Sequence, residues 1–199
     1  MKTQVVIVGG GEAFSTREEY LAWLENPDYD PYEYLDNPDE TFTSWSRALL
    51  EVLGDDYEVV KVDMPAKLNA KYDEWEIWFK HFLRHARDGC ILIGHSLGAN
   101  FWTKYLSEHD YPTSIKQLHL VAGCFGYAGG FEFENDFKKL NEQVGEIHIY
   151  HSSDDTVVPI DDAHQYKDAL PDANLHMFDD CGHFIIEEFP ELVENIKSI

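Results

Sequence analysis

Six short runs of apolar, largely β-branched residues recur along the chain: Val5 to Val8, Glu58 to Val62, Cys90 to Ile93, Gln117 to Ala122, Glu146 to Tyr150 and Asn174 to Phe178. The segments between them read as helices, and this alternation predicts a parallel sheet. Val-Val-Ile-Val and Ile-Leu-Ile are apolar at successive positions, as strands covered on both faces must be. The predicted fold is therefore α/β: a doubly wound, mainly parallel sheet of about six strands with helices on both faces. After the second run, Trp75, Trp78, Phe79, Phe82 and Ala86 fall at spacings of three and four, with Lys71, Glu74, Lys80 and Arg84 on the other side. That segment is an amphipathic helix, and its tryptophans are read as core anchors.

The length of 199 residues suits a single domain spanning 1–199. Residues 25–40 interrupt the pattern, since seven acids, three prolines and no base leave neither helix nor strand intact; this stretch is expected to be an acidic loop insertion. Asp28, Asp30, Glu33 and Asp36 lie close together there, but the glycine and closing glutamate of an EF-hand loop are not in place, so an EF-hand is rejected, no metal is assigned and a weaker ion site stays open. Across the chain 15 Lys and Arg face 38 Asp and Glu, a net charge of −23. Such a field repels nucleic acid and anionic lipid and disfavours anionic substrates. The N-terminal apolar run is too short for a secretory core, and no stretch approaches a membrane span. Cys90, Cys124 and Cys181 form an odd set without metal-site spacing, which points to a reducing cytoplasm.

The sharpest chemical signal is Gly94-His95-Ser96-Leu97-Gly98, a G-x-S-x-G sequence between the third apolar run and a helical stretch from Ala99 to Ser107. Glycines two residues to either side of the serine let the chain double back sharply and push the hydroxyl into solvent at the strand end. A serine hydroxyl needs a base, and the base needs an orienting acid, arriving later in the order acid, then His. Asp154-Asp155 follows the fifth run and His183 follows the sixth. Of ten histidines, only His183 has that place. His81 and His85 lack the glutamate of a zinc helix, His148 and His151 sit on opposite faces of a strand, and His95 should leave the turn away from the serine. For the oxyanion, the backbone N–H of Leu97 is one donor, and the turn after the first strand should give a second from Gly11 or Glu12. Gly9-Gly10-Gly11-Glu12-Ala13-Phe14 lacks the third glycine of a dinucleotide loop, so no cofactor is expected.

These residues resemble the small α/β-hydrolases of the YdeN and retinoblastoma-binding-protein-9 family. The likeness rests on the glycine turn after the first strand, Gly-His-Ser-Leu-Gly at 94–98, Ser-Ser-Asp-Asp-x-Val-Val-Pro at 152–159 and Gly-His-Phe at 182–184. It implies a minimal hydrolase fold without a large cap domain. It also selects Asp155 over Asp154, because an acid, any residue, then Val-Val-Pro is the family's usual form of this loop. The implied activity is hydrolysis of a small carboxylic ester or amide through an acyl-serine, with Ser96, His183 and Asp155 as the triad. The acidic stretch and Gly9-Gly10-Gly11 in place of a His-Gly pair depart from wider hydrolases. Three readings stay open: a non-enzymatic protein-binding module on the same scaffold, a cysteine nucleophile at Cys124 or Cys181, and an acyl pocket walled by Phe125 and Tyr127 in the glycine-rich loop 125–131.

Overall fold

The computed structural model describes residues 2–27, 44–127 and 129–198. Most of the acidic stretch expected to be an insertion, residues 28–40, lies outside the described residues. The six apolar runs become β1 (Thr3–Val8), β2 (Tyr57–Val62), β3 (Cys90–His95), β4 (Ile115–Val121), β5 (Val144–Ser152) and β6 (Asn174–Phe178). They form one open sheet in the order β2-β1-β3-β4-β5-β6, with every neighbouring pair parallel. The described helices are α1 (Arg17–Glu25), α2 (Trp45–Leu53), α3 (Tyr72–Leu83), α4 (Leu97–Glu108), α5 (Lys138–Gln143), α6 (Ile160–Ala169) and α7 (Pro190–Lys197).

Helices cover both faces, as the doubly wound pattern requires. On one side Trp75 and Phe79 of α3 interlock with Phe101, Trp102 and Tyr105 of α4. On the other, Trp45, Leu49 and Leu53 of α2 and Leu192 and Ile196 of α7 cover Val5, Ile7, Ile91 and Ile93. Each such side chain, fully buried, contributes about 2 kcal/mol of transfer free energy.

Two details of the amphipathic helix need correction. Trp78 is 51% exposed rather than a core anchor. A helix turns about 100° per residue, so Trp78 lies about 60° to one side of Trp75 while Phe79 lies about 40° to the other. The sheet-facing stripe is centred between Trp75 and Phe79, and Trp78 is left on its flank, with its indole N–H donating to the Asp63 carbonyl at 3.0 Å. The helix also stops at Leu83, so His85 and Ala86 follow it.

A second departure is a polar ladder on the sheet face beneath α7, where apolar residues were expected. Gln117 and His119 of β4, and His148 and Tyr150 of β5, are buried there. His119 Nδ1 pairs with the Tyr150 hydroxyl at 2.9 Å, and His148 Nδ1 with His176 Nε2 at 3.1 Å. Helix α7 completes the network, with Glu191 on His176 at 2.8 Å and Asn195 donating to the Tyr150 hydroxyl at 3.0 Å. These bonds satisfy groups whose burial would otherwise cost about 1–3 kcal/mol each.

The junction from β3 into α4 is packed directly against the end of β1. A Cβ added to Gly98 would stand 2.1 Å from the Val8 carbonyl oxygen and 2.8 Å from that of Gly9, both on backbone that cannot step aside. Gly98→Ala is expected to cost about 3 kcal/mol. The shift of the urea midpoint measures it, and a midpoint equal to that of the native protein would show that α4 can slide away from β1.

Candidate active site

Ser96 occupies the turn between β3 and α4 with φ 54° and ψ −125°, a left-handed conformation that a non-glycine residue rarely adopts. Such strain costs on the order of 1–3 kcal/mol and persists only when neighbours hold it. Here the Ser96 N–H donates to the Val121 carbonyl at 2.8 Å, and α4 is anchored through Gly98 against β1. Gly10, in the turn after β1, approaches the serine so closely that a Cβ on it would stand 3.0 Å from Ser96 Cβ and 3.4 Å from its Oγ. The motif alone does not reveal that contact.

The acid and the histidine meet across two loops. The Asp155 side chain is fully buried, and its Oδ2 lies 2.8 Å from His183 Nδ1. Its other oxygen, Oδ1, accepts the N–H groups of Val157 at 2.8 Å and Val158 at 3.0 Å. Burial pushes this carboxyl up, but the bonds from His183, Val158 and Val157 outweigh burial and hold it below its ordinary value. Neither acid caps the following helix, whose N-cap is Pro159. Asp154 serves the loops instead. Its Oδ1 accepts from Ser152 Oγ at 2.5 Å and from the Gly182 N–H at 2.9 Å, clasping the acid loop to the histidine loop. Ser152 Oγ in turn accepts the Cys181 N–H at 3.1 Å.

His95, beside the serine, pairs through Nε2 with the His183 carbonyl at 2.8 Å, and the two rings are 5.2 Å apart. His183 is thus tied to Asp155 by its side chain and to the residue before Ser96 by its backbone. No hydrogen bond joins Ser96 Oγ to the imidazole among the described residues; in ligand-free sites this bond is commonly long and tightens around substrate. Of the expected oxyanion donors, Leu97 opens α4, where a first-turn N–H has no intrahelical partner. Glu12 is corrected: its N–H is committed to the Lys67 carbonyl at 2.7 Å, after β2, and is closed to a ligand. Among the described residues the Gly11 N–H makes no backbone bond and stays open to a ligand where that of Glu12 does not.

In the loop read as either an acyl-pocket wall or a packed turn, Phe125 and Tyr127 are partly buried against the core. Phe125 stacks edge-on against Phe133 and Tyr166, its N–H donates to Asp162 Oδ2 at 3.1 Å, and Tyr127 also packs on the core. A cavity of about 180 Å³ opens next to the elbow, among Gly10, Trp45, Lys61, His95, Phe184 and Ile185. All three thiols are free. Burial and then the nearby Asp162 push Cys124 up to about 12, and burial and Asp180 raise Cys181, so neither supplies thiolate near neutral pH. Among the described residues no cluster of three or more His, Cys, Asp or Glu is arranged for a metal ion, and no helix is long and apolar enough to cross a membrane.

Buried histidines make stability depend on acid. Burial, followed by the charge of His183, lowers His95 to about 4. Burial and neighbouring histidines lower His119 and His148 as well. In the unfolded chain these groups titrate near 6.5, so the unfolded state takes up protons first, and stability held above that pH is lost as pH falls toward 4. For His95 alone the loss at pH 5 is about 2 kcal/mol. Urea midpoints at pH 7 and pH 5 test this, and His95→Gln should flatten the difference; an equal drop in that variant would assign the effect to other groups.

A family model described as serine hydrolase matches residues 37–195. The rat serine hydrolase RBBP9 is 28% identical over 166 residues, covering 78% of this chain and 84% of that protein. The ydeN gene product of B. subtilis superimposes with a TM-score of 0.73 over 99% of this chain and 98% of its own, at 18% identity. Est1E from Butyrivibrio proteoclasticus does so with a TM-score of 0.58 over 98% and 86%, at 14% identity. At such identities the two solved structures show a shared fold. The family match spans the strands that carry Ser96, Asp155 and His183, and the chain belongs to the serine hydrolase family.

Proposed function

We propose that this hydrolase cleaves a small carboxylic ester, or the corresponding amide, through an acyl-Ser96 intermediate. The observation that carries the reading is the Asp155 Oδ2 to His183 Nδ1 pair at 2.8 Å, in loops fastened beside a serine held at positive φ. Asp155 accepts a hydrogen bond from the Nδ1–H, which keeps the ring proton on Nδ1 and leaves Nε2 free as a base. Nε2 takes the Ser96 hydroxyl proton as Oγ bonds to the carbonyl carbon, and the carbonyl electron pair moves onto oxygen, facing the N–H groups of Leu97 and Gly11. Collapse of the tetrahedral species breaks the carbon–oxygen bond to the alcohol, which leaves with the proton from His183. Water repeats the sequence and releases the acid.

A fluorophosphonate probe and intact-mass measurement test this directly. One adduct on the native protein and none on Ser96→Ala is the expected result. No adduct on either protein, with both folded, would remove the serine mechanism and favour a scaffold that binds without turning over.

A further inference from the structure

We infer that the cavity beside Ser96 is an anion subsite, and that the preferred substrate carries a carboxylate a few carbons from its scissile bond. The inference rests on the hydrolase reading above and narrows its substrate class. It runs against the field of the whole chain, whose net charge of −23 disfavours anions.

The cavity is lined by Gly10 and His95, the residues that flank Ser96, and reaches Lys61 beside Gly9, where an added Cβ would stand 3.9 Å from Lys61 Cε. The Lys61 ammonium donates to Ser46 Oγ at 3.0 Å, and Ser46 Oγ shares a 3.1 Å bond with Ser44 Oγ. Ser44 is the N-cap of α2, yet its side chain caps no amide and faces this hydroxyl pair instead. Among the described residues no carboxylate lies within ion-pair distance of Lys61 or Arg47, whereas Lys67 is paired with Asp63 at 2.5 Å. The Lys61 ammonium is held below its ordinary value by burial and by the charges of Lys67 and Arg47, with Asp63 opposing them, so positive potential is concentrated here. A bound carboxylate would meet an ammonium and two hydroxyls, and its methylenes would lie along Trp45, Phe184 and Ile185. The volume of about 180 Å³ admits such a chain and excludes a bulky ring system.

The spacing sets the probe. At about 3.8 Å per three bonds, five bonds carry a carboxylate about 6 Å and seven bonds about 9 Å from the reacting carbon, two reaches for the path past Gly10 and Gly9 to Lys61. On the acyl side the pair is the mono-4-nitrophenyl ester of adipic acid against 4-nitrophenyl hexanoate. On the alcohol side it is 6-acetoxyhexanoate against hexyl acetate. For native protein, Lys61→Met and Lys61→Arg, the readout is the charged-to-uncharged ratio of kcat/KM, which is independent of the fraction of active enzyme.

In Lys61→Met the ratio is expected to fall about tenfold on one pair, to persist in Lys61→Arg, and to weaken with salt in the native protein. A ratio in Lys61→Met within about twofold of native on both pairs overturns the subsite and leaves Ser96 chemistry standing. Failure of the native protein to cleave even the uncharged esters, together with absence of the fluorophosphonate adduct, overturns the hydrolase mechanism and the subsite with it.

Discussion

Ser96→Ala is expected to lower kcat on a 4-nitrophenyl ester by about ten-thousand-fold to a million-fold while the protein stays folded. The substitution removes only the Oγ that becomes bonded to the acyl carbon; the backbone N–H groups and the cavity remain. Stability should move the other way when the strain is also released. Ser96 sits at φ 54°, where a Cβ is unfavourable, so Ser96→Gly should gain about 1 kcal/mol in urea unfolding and be as inactive as Ser96→Ala. Steady-state rates and urea midpoints for the three proteins give both numbers. An alanine variant that keeps more than about a tenth of native activity would place the nucleophile elsewhere.

Asp155→Asn should cost about ten-thousand-fold in kcat with little change in substrate binding. The reason lies in what surrounds the carboxylate. Oδ1 faces the N–H groups of Val157 and Val158, so an asparagine must keep its oxygen there and turn its NH2 toward His183. Nδ1 then becomes an acceptor, Nε2 carries the ring proton, and the imidazole cannot accept one from Ser96. Asp154→Asn makes the contrast. Both bonds of Asp154 end on Oδ1, and an asparagine oxygen can accept them both, so activity should fall by no more than about tenfold. Equal losses in the two variants would mean that the loop, rather than the tautomer, is what Asp155 supplies.

Strands β1 and β3 were readable because burial on both faces writes a continuous apolar run into consecutive residues, and the partly buried edge strands β2 and β6 because they repeat the spacing. The elbow was readable for the same reason, since Gly94 to Gly98 are contiguous and their chemistry depends on one turn. What escaped depends on contacts between distant segments. Whether the Glu12 N–H is available is decided by the carbonyl of Lys67, beyond β2, and no pattern near Glu12 encodes it. How the Phe125 ring is oriented depends on Phe133, Phe137 and Tyr166, which pack against it from distant segments. The cavity draws its walls from the end of β1, the start of α2, β2 and the loop after His183, each ordinary on its own. The polar ladder under α7 escaped because Gln117, His119 and His148 are residue types ordinarily taken to face solvent, and their burial rests on partners from other segments, Tyr150, Asn195, His176 and Glu146.

The clasp made by Asp154 and Ser152 bears on how the enzyme fails. Because these side chains fasten the loop after β5 to the loop after β6, neither the acid nor the histidine can detach while the other stays in register. The two loops are therefore expected to open as one unit, seated on the sheet rather than woven into it. On heating or in denaturant, activity should then be lost in a single step ahead of the far-ultraviolet signal of the paired strands beneath.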